Sequence, residues 1–416
     1  MRVIYSLAIF LYGLAIRLTA IFNHKAELWV KGRQGIFTRL KTVLKNIDRN
    51  ATPVIWFHAS SLGEFEQGRP VLEAFRENYP KYKVLLTFFS PSGFEIRKTY
   101  PKADFVFYLP LDTPFNAIRW VELVQPRMVI FVKYDFWYNF LRKLYQNKIP
   151  VYFISSVFRP GQPYFQWYGH WFRHQLDSVT WFFVQNNDSA NLLRSIGKNN
   201  VSVAGDTRFD RVFSIAVQRQ PFPLVEKFCA GKKVFIGGST WQEDEEIIFP
   251  LILNPPPDMK FILAPHDTSR ERIESLTSRL KRPYLLYSEM NEQSLAGQDV
   301  LIVDSIGILS QLYQYATVSF IGGGFGAGLH NIQEPVTFGV PVFFGPRYHK
   351  FKEACELVRL GGAFSVQAAQ DLEKKVLEIL SDPDNHKRIS EICRHYVEEN
   401  RGATPMIMDF INSLPV

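Results

Sequence analysis

The sequence predicts an α/β protein built of two Rossmann-like domains facing a cleft, preceded by a hydrophobic N-terminal helix. Three observations predict it. The chain has 416 residues, more than one ordinary hydrophobic core organises. Short apolar runs alternate with longer amphipathic ones, the pattern of strands joined by helices into a parallel sheet. A proline-marked stretch, Gln218-Arg-Gln-Pro-Phe-Pro223, separates two such series and suits a linker. Periodicity alone would also allow one very large sheet.

The first element is apolar. Val3 to Ile16 carries one polar residue, Ser6, and after Arg17 the apolar run resumes from Leu18 to Phe22. Fourteen residues are short for a span of about 20, but with Arg17 snorkelling Val3–Phe22 just reaches across. An uncleaved anchor or in-plane helix over residues 1–24 fits better than a signal peptide, because the leading charge is Arg2 alone and no small-residue cleavage site follows. Asn23–Arg49 then holds seven Lys/Arg against two acids. By the positive-inside rule this places the bulk of the protein in the cytoplasm, on the inner face of the membrane.

Residues 25–217 form the first domain. Its expected strands are Val54–His58, Val84–Phe89, Phe105–Leu109, Met128–Lys133, Val151–Ser155, Trp181–Val184 and Val201–Ala204, with helices such as Phe65–Tyr79 and Phe136–Asn147 between them. Residues 218–385 form the second, with strands Val234–Gly237, Phe261–Ala264, Tyr284–Tyr287, Val300–Val303, Val318–Ile321 and Pro341–Phe344. The region from about Leu372 to Leu414 reads as helix with one Asp-Pro break, and 386–416 as a terminal helical segment. In such sheets ligands bind beyond the carboxyl ends of the strands.

A net charge of +8 points to an anionic partner. Neither zinc-finger spacing nor a glycine-aromatic signature supports nucleic acid, so a membrane surface or an anionic substrate remains. The 36 Phe, 18 Tyr and 8 Trp are mostly core, and the surplus suits contact with lipid. Three widely spaced cysteines, Cys229, Cys355 and Cys393, give neither a metal spacing nor a disulfide framework. The one D-x-D, Asp382-Pro-Asp384, reads as a helix stop and restart, so no metal and no cofactor is expected.

Five segments could carry chemistry. HASSLGEFEQGRP, His58–Pro70, joins the first strand to the first long helix. Ser61-x-x-Glu64 has capping-box spacing, yet strand-to-helix turns are also where α/β proteins place reactive groups. A glutamate bonded at its own helix start is expected to stay ionised with a low pKa, which makes it a weak base. VKYDFWYN, Val132–Asn139, puts Lys133 and Asp135 at a strand end, as a substrate rim or a buried ion pair. GDTRFD, Gly205–Asp210, offers Arg208 as an anion contact or a plain surface charge.

In the second half, FIGGGFGAGLHNIQEP, Phe320–Pro335, reads as strand, glycine turn and helix start. Gly323 and Gly324 would let backbone amides approach a phosphate, and Glu334 could accept ribose hydroxyls or be a first-turn acid. It is not a Walker loop, lacking Lys-Ser/Thr. GGSTWQEDEE, Gly237–Glu246, offers Ser239 as a phosphate or sugar contact, or a helix cap. In APHDTSR, Ala264–Arg270, His266 and Arg270 would face the cleft.

HASSLGE, the F-W-Y-N region, GDTRFD, GGST and GGGFGAGLHNIQEP occur in the order seen in the bacterial 3-deoxy-D-manno-octulosonic acid (Kdo) transferases, which the chain resembles over nearly its whole length. The H-A-S-x-G-E and H-N-x-x-E elements are the specific parts. The glycine turns are shared by many glycosyltransferases of the two-Rossmann, GT-B, type. The resemblance implies a CMP-Kdo donor, a lipid IV-A acceptor in the inner membrane, and inverting transfer without a metal. It implies that Glu64 is the general base and that Asn331 and Glu334 contact the cytidine nucleotide.

With Ser239, His266, Arg270, Gly323 and Gly324, these two residues make the expected donor site. Ser61, Lys133, Asp135 and Arg208 make the expected acceptor side. Lys31, Arg33 and Arg69 are further candidates for acceptor phosphates. Two segments depart from the family pattern. Lys133-Tyr134-Asp135 stands where many members have E-T-E, and Pro265-His266-Asp267 where many have P-R-H. The phosphate arginine is thus replaced by His266, or its role moves to Arg270. Alternatives are a UDP-sugar transferase or nucleotide-sugar epimerase of the same fold, and a silent membrane-bound nucleotide- or lipid-binding protein.

Overall fold

The computed structural model describes residues 1–133, 135–326 and 328–414. It divides into two units, Met1–Asp210 with Gly402–Val416, and Arg211–Arg401. The first unit holds β1 (Val54–Ala59), β2 (Lys83–Phe88), β3 (Phe105–Tyr108), β4 (Met128–Val132), β5 (Val151–Ser156), β6 (Trp181–Val184) and β7 (Val201–Val203). They form one parallel sheet in the order β3-β2-β1-β4-β5-β6-β7.

Every residue of β1, β4 and β5 is buried, as expected of strands covered on both faces. Alternate residues feed different cores. Trp56, Leu85, Val129 and Phe131 join one, while Ile55, Phe57, Leu86 and Ile130 join the other. This is the two-residue period of a strand.

The N-terminal helix, Arg2–Thr19, lies against this unit. Tyr5 donates to the buried Asp112 at 2.6 Å, Tyr12 meets Trp29 and Phe89, and Gly13 faces Leu111. Its other side leaves Val3, Leu7, Phe10, Leu11 and Leu18 exposed. By length and composition it is the one helix among the described residues able to cross a membrane.

The second unit holds β8 (Lys233–Thr240), β9 (Met259–Pro265), β10 (Tyr284–Leu286), β11 (Val300–Ile302), β12 (Val318–Ile321), β13 (Val342–Phe344) and β14 (Ala363–Ser365). The order is β10-β11-β9-β8-β12-β13-β14, again all parallel. β14 was not expected, because Ala363-Phe-Ser365 has one strong strand former and no apolar run, unlike the equally short β7, β10, β11 and β13.

The C-terminal region breaks twice, not once. Asp382 caps helix Pro383–Asn400 by accepting from the amides of Asp384 and Asn385. The second break is at Gly402, whose φ of 110° ends that course and opens helix Ala403–Asn412. The segment 386–416 is therefore shared between the units. Ile407, Met408 and Ile411 of the last helix join the first unit's core. Asp210 holds the start of that helix, accepting from the amides of Gly402 at 2.6 Å and Thr404 at 2.7 Å.

Candidate active site

Both sheets have a point near the middle where strand order reverses. In the first it lies between β1 and β4, in the second between β8 and β12. In sheets of this class ligands bind at such points, where the loops on either side turn to opposite faces. The loop after β1 carries Ser61 and Glu64, and the loop after β4 carries Lys133 and Asp135.

Glu64 is in the first turn of helix Leu62–Asn78, capped by Ser61. Ser61 Oγ accepts from the Glu64 amide at 3.4 Å, and the carboxylate feels the Ser61 amide in turn. It accepts from the amide of Ser60, one residue earlier, at 2.6 Å. The short hold on the carboxylate thus comes from the residue before the cap. Burial and then the charge of Asp135 push the Glu64 carboxyl from 4.5 up to about 7, against the pull of the Ser60 amide, Lys133 and the Ser61 amide. The low pKa expected from capping is thus overturned, because desolvation and a like charge outweigh the amide bonds.

Asp135 is itself held. Its Oδ2 is 3.2 Å from His58 Nε2, and His58 is fully buried on β1. His58 Nδ1 is 2.9 Å from Thr87 Oγ1, which also takes the indole N–H of Trp56 at 2.7 Å. Trp137 Nε1 approaches His58 Nε2 at 3.3 Å. An indole N–H only donates and a carboxylate only accepts. A lone pair on Nε2 therefore suits Trp137, and an N–H suits Asp135. Lys133 takes a φ of 66°, a conformation costly for a side-chain residue and often found at working sites. Tyr134 lies outside the described residues.

Other cations expected on this side are engaged elsewhere. Arg208 reaches back to Asp206 through Nε at 2.9 Å and Nη2 at 2.6 Å. Arg69 pairs with Glu73 and Glu66, and Lys31 with Glu27. Arg33 is packed over the Trp29 ring at 3.7 Å.

At the second switch point Ser239, the last but one residue of β8, takes φ 53°, and its hydroxyl has no hydrogen-bond partner among the described residues. Trp241 follows. Its indole N–H donates to His330 Nε2 at 3.0 Å, its ring lies 4.6 Å from that of His266, and the two imidazoles stack at 4.4 Å. Because Trp241 occupies Nε2, neutral His330 carries its proton on Nδ1. Burial and the neighbouring His266 lower His330 to about 4, and burial also lowers His266. Both rings are neutral near pH 7.

The glycine turn is bonded internally. The Gly323 amide donates to Asp244 Oδ2 at 2.8 Å, and the same oxygen accepts from the Trp241 amide at 2.9 Å. Gly323's amide is therefore not an anion donor, contrary to expectation. Asp244 instead ties the glycine turn to the start of helix Gln242–Leu253. Gly324 is required for close approach, since a Cβ there would lie 2.5 Å from the Gly345 nitrogen.

Asn331 Nδ2 donates to Glu334 Oε1 at 3.3 Å, so these two stand together. The helix they introduce, Gln333–Thr337, has only five residues, too few for the dipole expected there. Arg270 pairs with Glu274 at 2.8 Å and is 88% exposed, so it is not drawn to the His266 ring. Trp241, Asp244 and His58 were not singled out from sequence. All three do lie inside quoted motifs, but nothing in a linear pattern shows which ring is buried or stacked at a site or which acid ties two loops together.

Residues 34–211 match the family model described as 3-deoxy-D-manno-octulosonic-acid transferase (kdotransferase). The chain is 26% identical over 369 residues to the 3-deoxy-D-manno-octulosonic acid transferase of Haemophilus influenzae, covering 86% of each chain. It is 28% identical over 345 residues to that of Aquifex aeolicus, covering 80% of this chain and 88% of that one. Among solved structures, UDP-GlcNAc 2-epimerase from Neisseria meningitidis bound to UDP-GlcNAc superposes with a TM-score of 0.54 at 18% identity, over 87% of this chain and 100% of that one. That likeness is one of fold. The match to the Kdo transferase model thus covers residues 34–211, and the similarity to Kdo transferases extends over most of the chain.

Proposed function

We propose that the chain is a glycosyltransferase moving Kdo from CMP-Kdo to lipid IV-A, with inversion, at the cytoplasmic face of the inner membrane. The observation that carries this reading is Glu64. It is a carboxylate at the switch point of the first sheet, raised to about 7, inside the segment that matches the transferase model.

The acceptor hydroxyl oxygen attacks the anomeric carbon of Kdo as the carbon–oxygen bond to the CMP phosphate breaks. The hydroxyl proton passes to Glu64. A base near the working pH combines a usable ionised fraction with real proton affinity. Ser60 holds the carboxylate through one oxygen, and Lys133 balances Asp135. The reacting carbon becomes oxocarbenium-like, and attack opposite the leaving group inverts it. CMP leaves with one more negative charge than it had in the donor. Ser239, His266 and the Asn331–Glu334 pair are assigned to donor binding on the second unit. Neutral Nδ1–H of His330 offers a directed hydrogen bond there without a competing cation.

Helix Arg2–Thr19 rests along the first unit by Tyr5, Tyr12 and Gly13 and presents its other face outward, an arrangement suited to lying in the membrane interface.

Mass spectrometry of lipid IV-A incubated with CMP-Kdo tests the reading, using wild type and Glu64→Gln, with UDP-GlcNAc as the rival donor. Mass gain with CMP-Kdo only, lost in the variant, supports it. Turnover of UDP-GlcNAc, or full transfer by the variant, sinks it.

A further inference from the structure

Helix His170–Leu176 of the first unit packs one side inward and leaves the other to solvent. Gln175 and Leu176 are buried. The Trp171 ring lies 5.1 Å from that of Tyr138 and 5.9 Å from that of Tyr5 on the N-terminal helix. His170 and His174 are both exposed. They stand four positions apart, so they are neighbours on one helix face.

Their Nε2 atoms are 3.1 Å apart, and the two rings cross at 84°. A metal–imidazole bond is about 2.0–2.1 Å long. Two such bonds, meeting between a right angle and the tetrahedral angle, hold their nitrogens about 2.8–3.4 Å apart. The pair already has that separation.

One of the two rings also has its tautomer set. His174 Nδ1 is 2.9 Å from Asp177 Oδ2. A carboxylate only accepts, so Nδ1 carries the proton and Nε2 keeps its lone pair. Lys198 holds the other oxygen of the same carboxylate. A carboxylate behind a ligating histidine orients the ring and raises its basicity. The contact between the rings then needs the Nε2–H of His170 to donate to His174 Nε2. A metal ion takes the place of that proton, which moves to His170 Nδ1 or to solvent.

Among the described residues no group of three or more His, Cys, Asp or Glu converges on one point. The histidine pair therefore supplies two ligands, and water completes the shell. Imidazole suits Zn²⁺, Cu²⁺ and Ni²⁺, whereas Mg²⁺ prefers oxygen.

We propose that His170 and His174 chelate a divalent transition-metal ion through their Nε2 atoms, with Asp177 as the positioning residue. The site uses no residue assigned to Kdo transfer and does not rest on that reading. A helix of seven residues is marginal by itself. A chelate across one turn stiffens it, and with it the packing of Trp171 on Tyr5 and Tyr138.

Isothermal titration calorimetry of the full chain, free of any histidine tag, tests this with Cu²⁺, Zn²⁺ and Mg²⁺. One saturable site is expected, tighter for Cu²⁺ than for Zn²⁺, with no response to Mg²⁺. His170→Ala and His174→Ala should each remove it. Both side chains are exposed, so melting without metal should change little. Asp177→Asn should weaken binding about 10- to 100-fold, the usual effect of losing a carboxylate behind a ligand. Electron paramagnetic resonance of the Cu²⁺ form should show two imidazole nitrogens, and fewer in either alanine variant. Hydrogen exchange over residues 170–176 should slow when Zn²⁺ is added. His24→Ala and His395→Ala, at exposed histidines beside glutamates, should bind as wild type does. No saturable binding by wild type, binding that survives both alanine variants, or binding lost in His395→Ala overturns the site. Full affinity in Asp177→Asn overturns the positioning role.

Discussion

The amide of Ser60 donates to Glu64 Oε2 at 2.6 Å, while the Ser61 hydroxyl caps the Glu64 amide. One serine holds the helix and its neighbour holds the carboxylate. The hydroxyl cap on the helix and the Ser60 hold on the carboxylate are separate contacts.

Glu64→Gln keeps an oxygen for the Ser60 amide and removes the charge. Transfer should fall roughly 10²–10⁴-fold, the usual contribution of a general base. Stability should move the other way. Between about pH 4.5 and about pH 7 the folded chain holds the Glu64 proton more tightly than the unfolded chain, so wild-type stability falls as pH rises through that window. The variant escapes this loss, by at most about 3 kcal/mol at full effect. Thermal melts at pH 5 and pH 8 should show the variant gaining on wild type at the higher pH.

Asp135→Asn removes the charge that raises Glu64. The acidic limb of the pH–rate profile should sit near 7 in wild type and shift to lower pH in this variant. A profile that keeps its limb while activity drops would assign Asp135 to acceptor binding only.

His330 should remain neutral on its Nδ1–H tautomer well below pH 6.5, because Trp241 donates to Nε2 and protonation there breaks that bond. Nitrogen-correlated NMR of the imidazoles reads both tautomer and titration. In Trp241→Phe, His330 should titrate at higher pH, and the Michaelis constant for the donor should rise by a few-fold to about tenfold, the scale of one lost hydrogen bond.

Asp210→Ala should free the amides of Gly402 and Thr404. A loss of about 1–3 kcal/mol is expected for removing a charged acceptor at a helix start. Urea unfolding measures it. Hydrogen exchange should rise first over helix Ala403–Asn412.

Thirteen of the strands could be read from the chain because each is a short apolar run between turn-forming residues, and burial on both faces makes such runs continuous. Ala363–Ser365 escaped because Phe364 is its one strong strand former and no apolar run surrounds it. The return of the last helix escaped because its signal is Asp210, about 190 positions earlier in the chain. The same limit applies to the sites. Glu64, Asp135 and Ser239 stand at strand ends that the pattern reveals. The stacking of Trp241 on His266, and of His266 on His330, joins three separate loops.

By itself the sequence determined the α/β class, the strand–helix order, the apolar character of the first helix and the turns where reactive groups lie. Hydrophobic period and turn residues are local, so these properties are written within a few residues of where they act. Only the tertiary structure decided that the Glu64 carboxyl rises instead of falling, that Gly323 gives its amide to Asp244, and that Arg208 and Arg270 face their own neighbours. Charge state and hydrogen-bond choice depend on burial and on groups brought together from distant positions, and those are properties of packing.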